Sequence, residues 1–311
     1  MWHIMNIGKI KNWICVYGLK NTVLRGMYCS FPVLPVVNNE LLRRMNWQMK
    51  VRSKLKHYIV IEEDKPELEN VNPYKNTVWC MWFQGLDKAP AIVKTCINSI
   101  EKYCSEAGYT FILLTTDNMF EYVHLPEEII GKWKKGRIGN ANFSDLCRVS
   151  LLAEYGGLWL DATVYLTDII DRDILETEIF MFQASFLDMT ATKISNWCMF
   201  AKEAGNSFML SLKSSMCNYW KHNNFIDDYF IFHLMAAELS EQDRLKEIFD
   251  GIPFLSNTNP QLLGRILNKK YDKNEYEHIL RCSSIHKLSY KGIDEEKSET
   301  YYKYIIKECK K

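Results

Sequence analysis

Asp161 closes an apolar run in GGLWLDATVY. A strand buried on both faces that ends in a carboxylate can hold that group at a ligand crevice without cutting it off from solvent. Such a position suits a metal ion or the hydroxyls of a sugar. Moving a sugar off a nucleoside diphosphate requires charge compensation on the departing diphosphate, and a divalent cation held by one or two hard oxygen ligands is the usual means. Upstream stand Ser144, Asp145 and Arg148. Asp145 and Arg148 share one helix face a turn apart, and spacing alone makes them an ordinary ion pair worth a few tenths of a kcal/mol. In NNFIDDYFIFH, Asp227, Asp228 and His233 fall near a helix start, where carboxylates also serve as caps. His286 and Lys287 in SIHKLSY form a further polar pair, with an unremarkable surface pair as the plain alternative.

The elements that must position these residues are legible in outline. TVWCMWF from Thr77 is rich in β-formers and meets Gly85, which predicts a buried strand ending in a loop. Pro90 opens a helix through IVKTCINSIEKYC, and TFILL from Thr110 to Leu114 predicts a second strand with a polar turn after it. Strand, helix and strand in that order predict a parallel βαβ unit, whose ligand crevice lies at the strands' carboxyl ends. ANFSDLCRVSLLAEYGG predicts an amphipathic helix stopped at Gly156 and Gly157, and LWL a short buried strand leading to Asp161. The chain continues through VYLTDI, with strands expected at IFMFQAS and NWCMFA, helices across SFMLSLKSSMCNYW and DYFIFHLMAAELS, and a short apolar element from Ser284 to Leu288 in a lysine-rich tail. Residues 1–70 predict a helical appendage and linker, leaving 71–311 as the catalytic domain.

Taken together, NFSDLCRVSLLAEYGGLWLDATVYL resembles the sugar-binding region of GT-A glycosyltransferases, nearest the capsular polysaccharide synthesis protein family and more distantly the DXD glycosyltransferases. The likeness is specific from Thr77 to about Leu166, with WCMWFQG similar to the family's opening strand, and diffuse beyond. It implies an α/β fold of GT-A type, Rossmann-like, with a central mixed, mainly parallel sheet and a helical N-terminal appendage. It implies that Trp82, with Trp79 as second candidate, lies against the nucleotide base, although a core role is the plain alternative and is favoured for Trp79. Within the matching SDxxR, which begins at Ser144, Asp145 would accept hydrogen bonds from sugar hydroxyls and Arg148 would approach the sugar or diphosphate. Asp161 would bind the metal, Mn²⁺ or Mg²⁺, the ribose, or both. Thr163 departs from the usual DXD, standing where a second carboxylate is expected. It could support a metal-bound water, and capsule-type relatives look like DAT here. The late His286 would complete the metal site and Lys287 would neutralise diphosphate. Asp228 would contact the acceptor hydroxyl as base or positioning group, whereas Asn196 and Trp197 read as core.

Composition bounds the alternatives. The 311 residues are 47% apolar and 25% charged, values of a folded globular protein. With 39 Lys and Arg against 38 Asp and Glu, the net charge of +1 supplies no field for nucleic acid, which is not expected as a partner. The ten cysteines show no CxxC pair, which fits reduced thiols in a cytoplasmic chain. No signal peptide and no uninterrupted apolar run of ~20 residues is evident. The basic, aromatic stretch around Arg43, Arg44 and Trp47 reads either as a solvated helix face or as peripheral contact with the inner face of an anionic membrane.

The expected activity is transfer of a sugar, with retention, from a nucleoside-diphosphate sugar to a hydroxyl of a glycan or lipid-linked saccharide in capsular or surface polysaccharide synthesis. Two rivals stand beside it. A catalytically silent glycan- or nucleotide-binding protein is motivated by the missing second carboxylate. A haloacid dehalogenase-type phosphotransferase is motivated by LWLDATV, but it normally has an Asp where Thr163 stands.

Overall fold

A computed structural model of the chain describes residues 7–30, 40–65, 72–184 and 191–308. Helices α1 (Ile7–Ser30) and α2 (Glu40–Leu55) lead, followed by β1 (Thr77–Met81), α3 (Ala91–Ala107), β2 (Thr110–Leu114), α4 (Glu127–Lys134), α5 (Asn140–Tyr155) and β3 (Gly157–Leu160). Next come β4 (Val164–Leu166), α6 (Arg172–Leu175), β5 (Ile179–Gln183), β6 (Ile194–Ala201), α7 (Ser207–His222) and α8 (Ile231–Leu239). The chain closes with α9 (Asp243–Asp250), α10 (Thr258–Arg265), α11 (Lys273–Cys282), β7 (Ile285–Lys287) and α12 (Tyr301–Glu308).

Five strands form the central sheet in the order β2-β1-β3-β6-β5. β2, β1 and β3 run parallel, whereas β6 runs against both β3 and β5, so only β6 is reversed. The architecture is α/β and Rossmann-like, with a mixed, mainly parallel sheet. From β1 the chain crosses to β2 on one side and later returns to β3 on the other, so the strand order reverses at β1. Right-handed crossovers then put α3 and α5 on opposite faces, and a crevice opens at the carboxyl ends of β1 and β3. β3 can lie against β1 because its first residue has no side chain. Gly157 has φ +88°, and a β-carbon there would meet the Thr77 carbonyl oxygen at 2.4 Å.

Burial explains the residue choices. β1 is buried throughout, and Trp79 pairs in register with Trp159 of β3, both side chains fully enclosed. Each such side chain contributes roughly 1.5–3 kcal/mol of transfer free energy. α5, expected to be amphipathic, is buried around nearly its whole circumference from Asn142 to Ala153, because it lies between the sheet and α7. Its polar Asp145, Arg148 and Ser150 are therefore interior groups.

The domain boundary expected near residue 70 falls at residues 66–71, outside the described residues. α2 is built into the same core as the sheet through Trp47, Val51 and Leu55, and it packs on α8. There the buried Arg52 Nε donates to Glu238 Oε1 at 2.6 Å. Asp227 ties the N-terminal helices to α7, accepting from Asn21 Nδ2 at 3.0 Å, Lys54 Nζ at 2.6 Å and the Tyr219 hydroxyl at 2.9 Å.

Candidate active site

Asp161 follows β3 directly, and its backbone N–H donates to the Trp197 carbonyl of β6 at 2.9 Å. Trp159, two residues earlier and so on the same face of the strand, donates its indole N–H to Asp161 Oδ1 at 3.0 Å. The other oxygen is met from far along the chain. β7 pairs antiparallel with β4, placing Lys287 opposite Val164, and the Lys287 ammonium donates to Asp161 Oδ2 at 2.5 Å and to Thr163 Oγ1 at 2.8 Å. α10 backs this ribbon closely, since a β-carbon on Gly264 would come within 2.4 Å of the Lys287 carbonyl oxygen. The side chains of Asp161 and Lys287 are 24% and 23% exposed, so a ligand in the crevice can reach both.

Arg148 projects from α5 beneath them. Its Nη2 lies 3.4 Å from Asp145 Oδ1 and 3.3 Å from Asp161 Oδ1. It also donates through Nη1 to the Asn196 carbonyl, through Nε to the Ser144 carbonyl at 3.4 Å and through Nη2 to Ser144 Oγ at 3.3 Å. The guanidinium carbon stands 4.9 Å from the Trp159 ring centre, a contact that suits this planar cation. Arg148 is thus buried and held on every side by its own cluster, a positioning residue for both carboxylates. Asp145 is buried beside it and accepts from Asn196 Nδ2 at 2.8 Å.

The two carboxylates differ electrically. Burial pushes the Asp145 carboxyl up to about 6, against Arg148 and with the help of the Asp161 charge. Asp161 is also raised by burial, but Lys287 and then Arg148 outweigh it and hold the carboxyl below its ordinary range. Asp161 is therefore the permanent anion of the pair.

The remaining expected residues divide. Trp82 stands just past β1, half-buried, with its ring edge-on to Tyr290 at 5.3 Å and its indole N–H enclosed without a hydrogen-bond partner among the described residues. Trp79 is a core residue whose N–H donates to the Gly156 carbonyl at 3.1 Å. Asp228 is buried and its Oδ1 accepts from the Phe230 N–H at 2.9 Å in the turn before α8, whose N-cap is Phe230. His286 is fully buried and faces away from Asp161. Adjacent strand residues point to opposite sides, and with Lys287 turned to Asp161, the His286 Nε2 meets Thr167 Oγ1 at 3.1 Å. Burial takes its pKa down to about 4, so the ring is neutral.

A divalent cation such as Mg²⁺ or Mn²⁺ needs several hard oxygen ligands in near-octahedral array. Here both oxygens of Asp161 and the hydroxyl of Thr163 are engaged by Lys287, Trp159 and Arg148. His286 lies on the wrong side of its strand, and among the described residues no group of three or more His, Cys, Asp or Glu side chains is arranged to hold a metal. This donor set does not fit a divalent cation.

A model of the capsular polysaccharide synthesis protein family matches residues 31–305. The chain belongs to that family. No curated protein matches the chain. The match takes in α2, the helix that bears Arg52, as well as the whole sheet.

Three more residues of this capsular-synthesis chain join the site: Asn196, which sequence placed in the core, His233, which sequence placed near a helix start, and Tyr229, which sequence did not single out. Asn196 links the clusters, its side chain on Asp145 and its carbonyl on Arg148. Tyr229 stands exposed at the mouth, its hydroxyl raised by partial burial and then by the charges of Asp145 and Asp161. His233 of α8 is kept neutral, its pKa taken down to about 3 by burial and then by Arg148 against the pull of Asp161. Sequence offered only one signal for this group, the polar side chains interrupting the apolar runs NWCMFA and DYFIFH.

Proposed function

We propose that the chain is a GT-A glycosyltransferase that moves a sugar from a nucleoside-diphosphate sugar to a hydroxyl of a saccharide acceptor. The observation that carries this reading is the meeting of Asp161 with Lys287 and Arg148 at the strand-order reversal of a Rossmann-like sheet, in a member of a capsular polysaccharide synthesis family. That crevice is where α/β sheets bind their ligands.

Each residue then has a task. Trp82, past the end of β1, offers its ring to the nucleotide base. Asp161, kept ionised, accepts hydrogen bonds from the donor's hydroxyls. As the bond from the anomeric carbon to the diphosphate oxygen breaks, charge grows on the diphosphate. Lys287 is the cation open to the crevice, and its ammonium can turn from Asp161 toward that charge. A cation that meets charge as it develops lowers the barrier more than it strengthens ground-state binding. Arg148 holds Asp145 and Asp161 in register, and the departing diphosphate can receive the proton of the attacking hydroxyl, so retention needs no side-chain nucleophile.

The test is a screen of purified protein against UDP- and GDP-sugars, reading released nucleoside diphosphate and thermal stabilisation. Release or stabilisation with one donor supports the reading and names the donor. Silence with every donor moves the chain to the binding-protein reading.

A further inference from the structure

Beside the Asp161 cluster, on the side away from Trp82, lies a cavity of about 350 Å³, within the ~300–1,000 Å³ range of small-molecule sites. Its walls come from the carboxyl end of β5, the first residues of β6, the start of α8, α10 and the N-terminal helix α2. In the sheet order β1-β3-β6-β5 the expected donor crevice lies at the ends of β1 and β3, and this cavity lies at the ends of β6 and β5. It is nevertheless tied to the chemistry. Trp197, whose carbonyl receives the Asp161 N–H, donates its indole N–H to Asn257 Oδ1 in the cavity wall at 2.8 Å. His233 lines the cavity and feels the charges of Arg148 and Asp161.

The charge of this cavity is one-sided. Arg44 of α2 and Arg265 of α10 both line it, and no Asp or Glu does so among the described residues. Arg52, Arg148 and Arg244 are each ion-paired. Arg44 and Arg265 are exposed and have no carboxylate partner among the described residues. Between them stand neutral groups, Ser195, Asn257 and Gln261, of the kind that bind sugar hydroxyls. A carboxylate offers one pair of oxygens and is satisfied by one guanidinium fork. Two forks on a common cavity match the larger oxygen set of a phosphate or diphosphate.

We infer that this cavity is the acceptor subsite and that it takes a sugar carrying a phosphate or diphosphate, gripped by Arg44 and Arg265. The inference rests on the transfer reading above, which assigns the crevice at the ends of β1 and β3 to the donor. A lipid-linked diphosphate saccharide and a soluble sugar phosphate share this chemistry.

The experiment is a set of calorimetric titrations on the full chain with inorganic pyrophosphate, a hexose 1-phosphate, a short-chain alkyl diphosphate glycoside, glucuronate, UDP and GDP. Three proteins are compared: wild type, the double variant Arg44→Gln with Arg265→Gln, and Lys287→Ala. Both arginines are exposed, so their replacement leaves the core intact. The expected result is pyrophosphate binding that survives Lys287→Ala and weakens about tenfold or more in the arginine variant, the equivalent of about 1.4 kcal/mol, beyond any loss on UDP or GDP. Tighter binding of the alkyl diphosphate glycoside than of the hexose 1-phosphate assigns the lipid-linked source, and the reverse assigns the soluble one. Pyrophosphate binding that ignores the arginines, or glucuronate binding as tight as the hexose 1-phosphate, overturns the inference and leaves the donor reading standing. Arginine-dependent pyrophosphate binding without any UDP or GDP binding overturns the donor reading instead.

Discussion

Asp145 and Asp161 stand on either side of one guanidinium and part company in their titration, and each difference has a measurable sign. Asp145 is held at about 6 against an ordinary value of 3.8. Between those values the folded protein keeps a proton that the unfolded chain has released, so this carboxyl makes stability fall as pH rises through that window. Asp145→Asn has no such proton, and its melting temperature relative to wild type should climb from pH 4 to pH 6 and level off above. A flat difference across that range contradicts the assignment. Asp161→Asn keeps the shape but removes the permanent anion, and nucleoside diphosphate release should fall by about 10²–10³, the scale of losing one aimed electrostatic group. The acidic pair and Arg148 were legible in sequence because spacing puts Asp145 and Arg148 on one helix face and a strand end presents Asp161. The reversal at residues 286 and 287 was not. Which of two adjacent strand residues faces a site depends on register, and β7 pairs with β4, more than a hundred residues away in sequence.

Elements show the same division. β1, α3, β2, α5 and β3 follow from local pattern, and the strand TFILL is found residue for residue. Buried polar contacts between distant helices leave no such trace. Arg52 of α2 reads as one cation in a basic helix, but it is enclosed with Glu238 of α8, while its Nη2 meets Glu241 at 2.8 Å. Arg52→Met should destabilise the fold by about 3–5 kcal/mol by leaving Glu238 buried without its partner, and Arg52→Met with Glu238→Gln should recover much of the loss. Urea denaturation of the single and double variants checks this, and equal stability of the two contradicts it. Gly157 lets β3 come close to the β1 backbone. Gly157→Ala should cost about 3 kcal/mol or more, because its β-carbon strikes the β1 backbone at a positive φ. A denaturation midpoint near wild type would show that β3 can withdraw from β1.

Over the whole molecule, the family match and the hydrophobic core both take in α2, a helix that sequence had placed in an appendage ending near residue 70. Composition gave no sign of this, because α2 is rich in arginine and lysine and its buried residues, Trp47, Val51 and Leu55, sit beside the polar Gln48 and Arg52, which are buried with them. Among the described residues no helix is long and apolar enough to cross a membrane. In the proposed reaction Lys287, brought in by β7, rather than a metal ion balances the charge that grows on the departing diphosphate. The direct test is nucleoside diphosphate release by wild type and Lys287→Ala with the best donor, each in EDTA and in Mn²⁺. Release by wild type that EDTA does not diminish, lost by about 10²-fold or more in Lys287→Ala, is the predicted result. Release that requires Mn²⁺ and survives Lys287→Ala would contradict it.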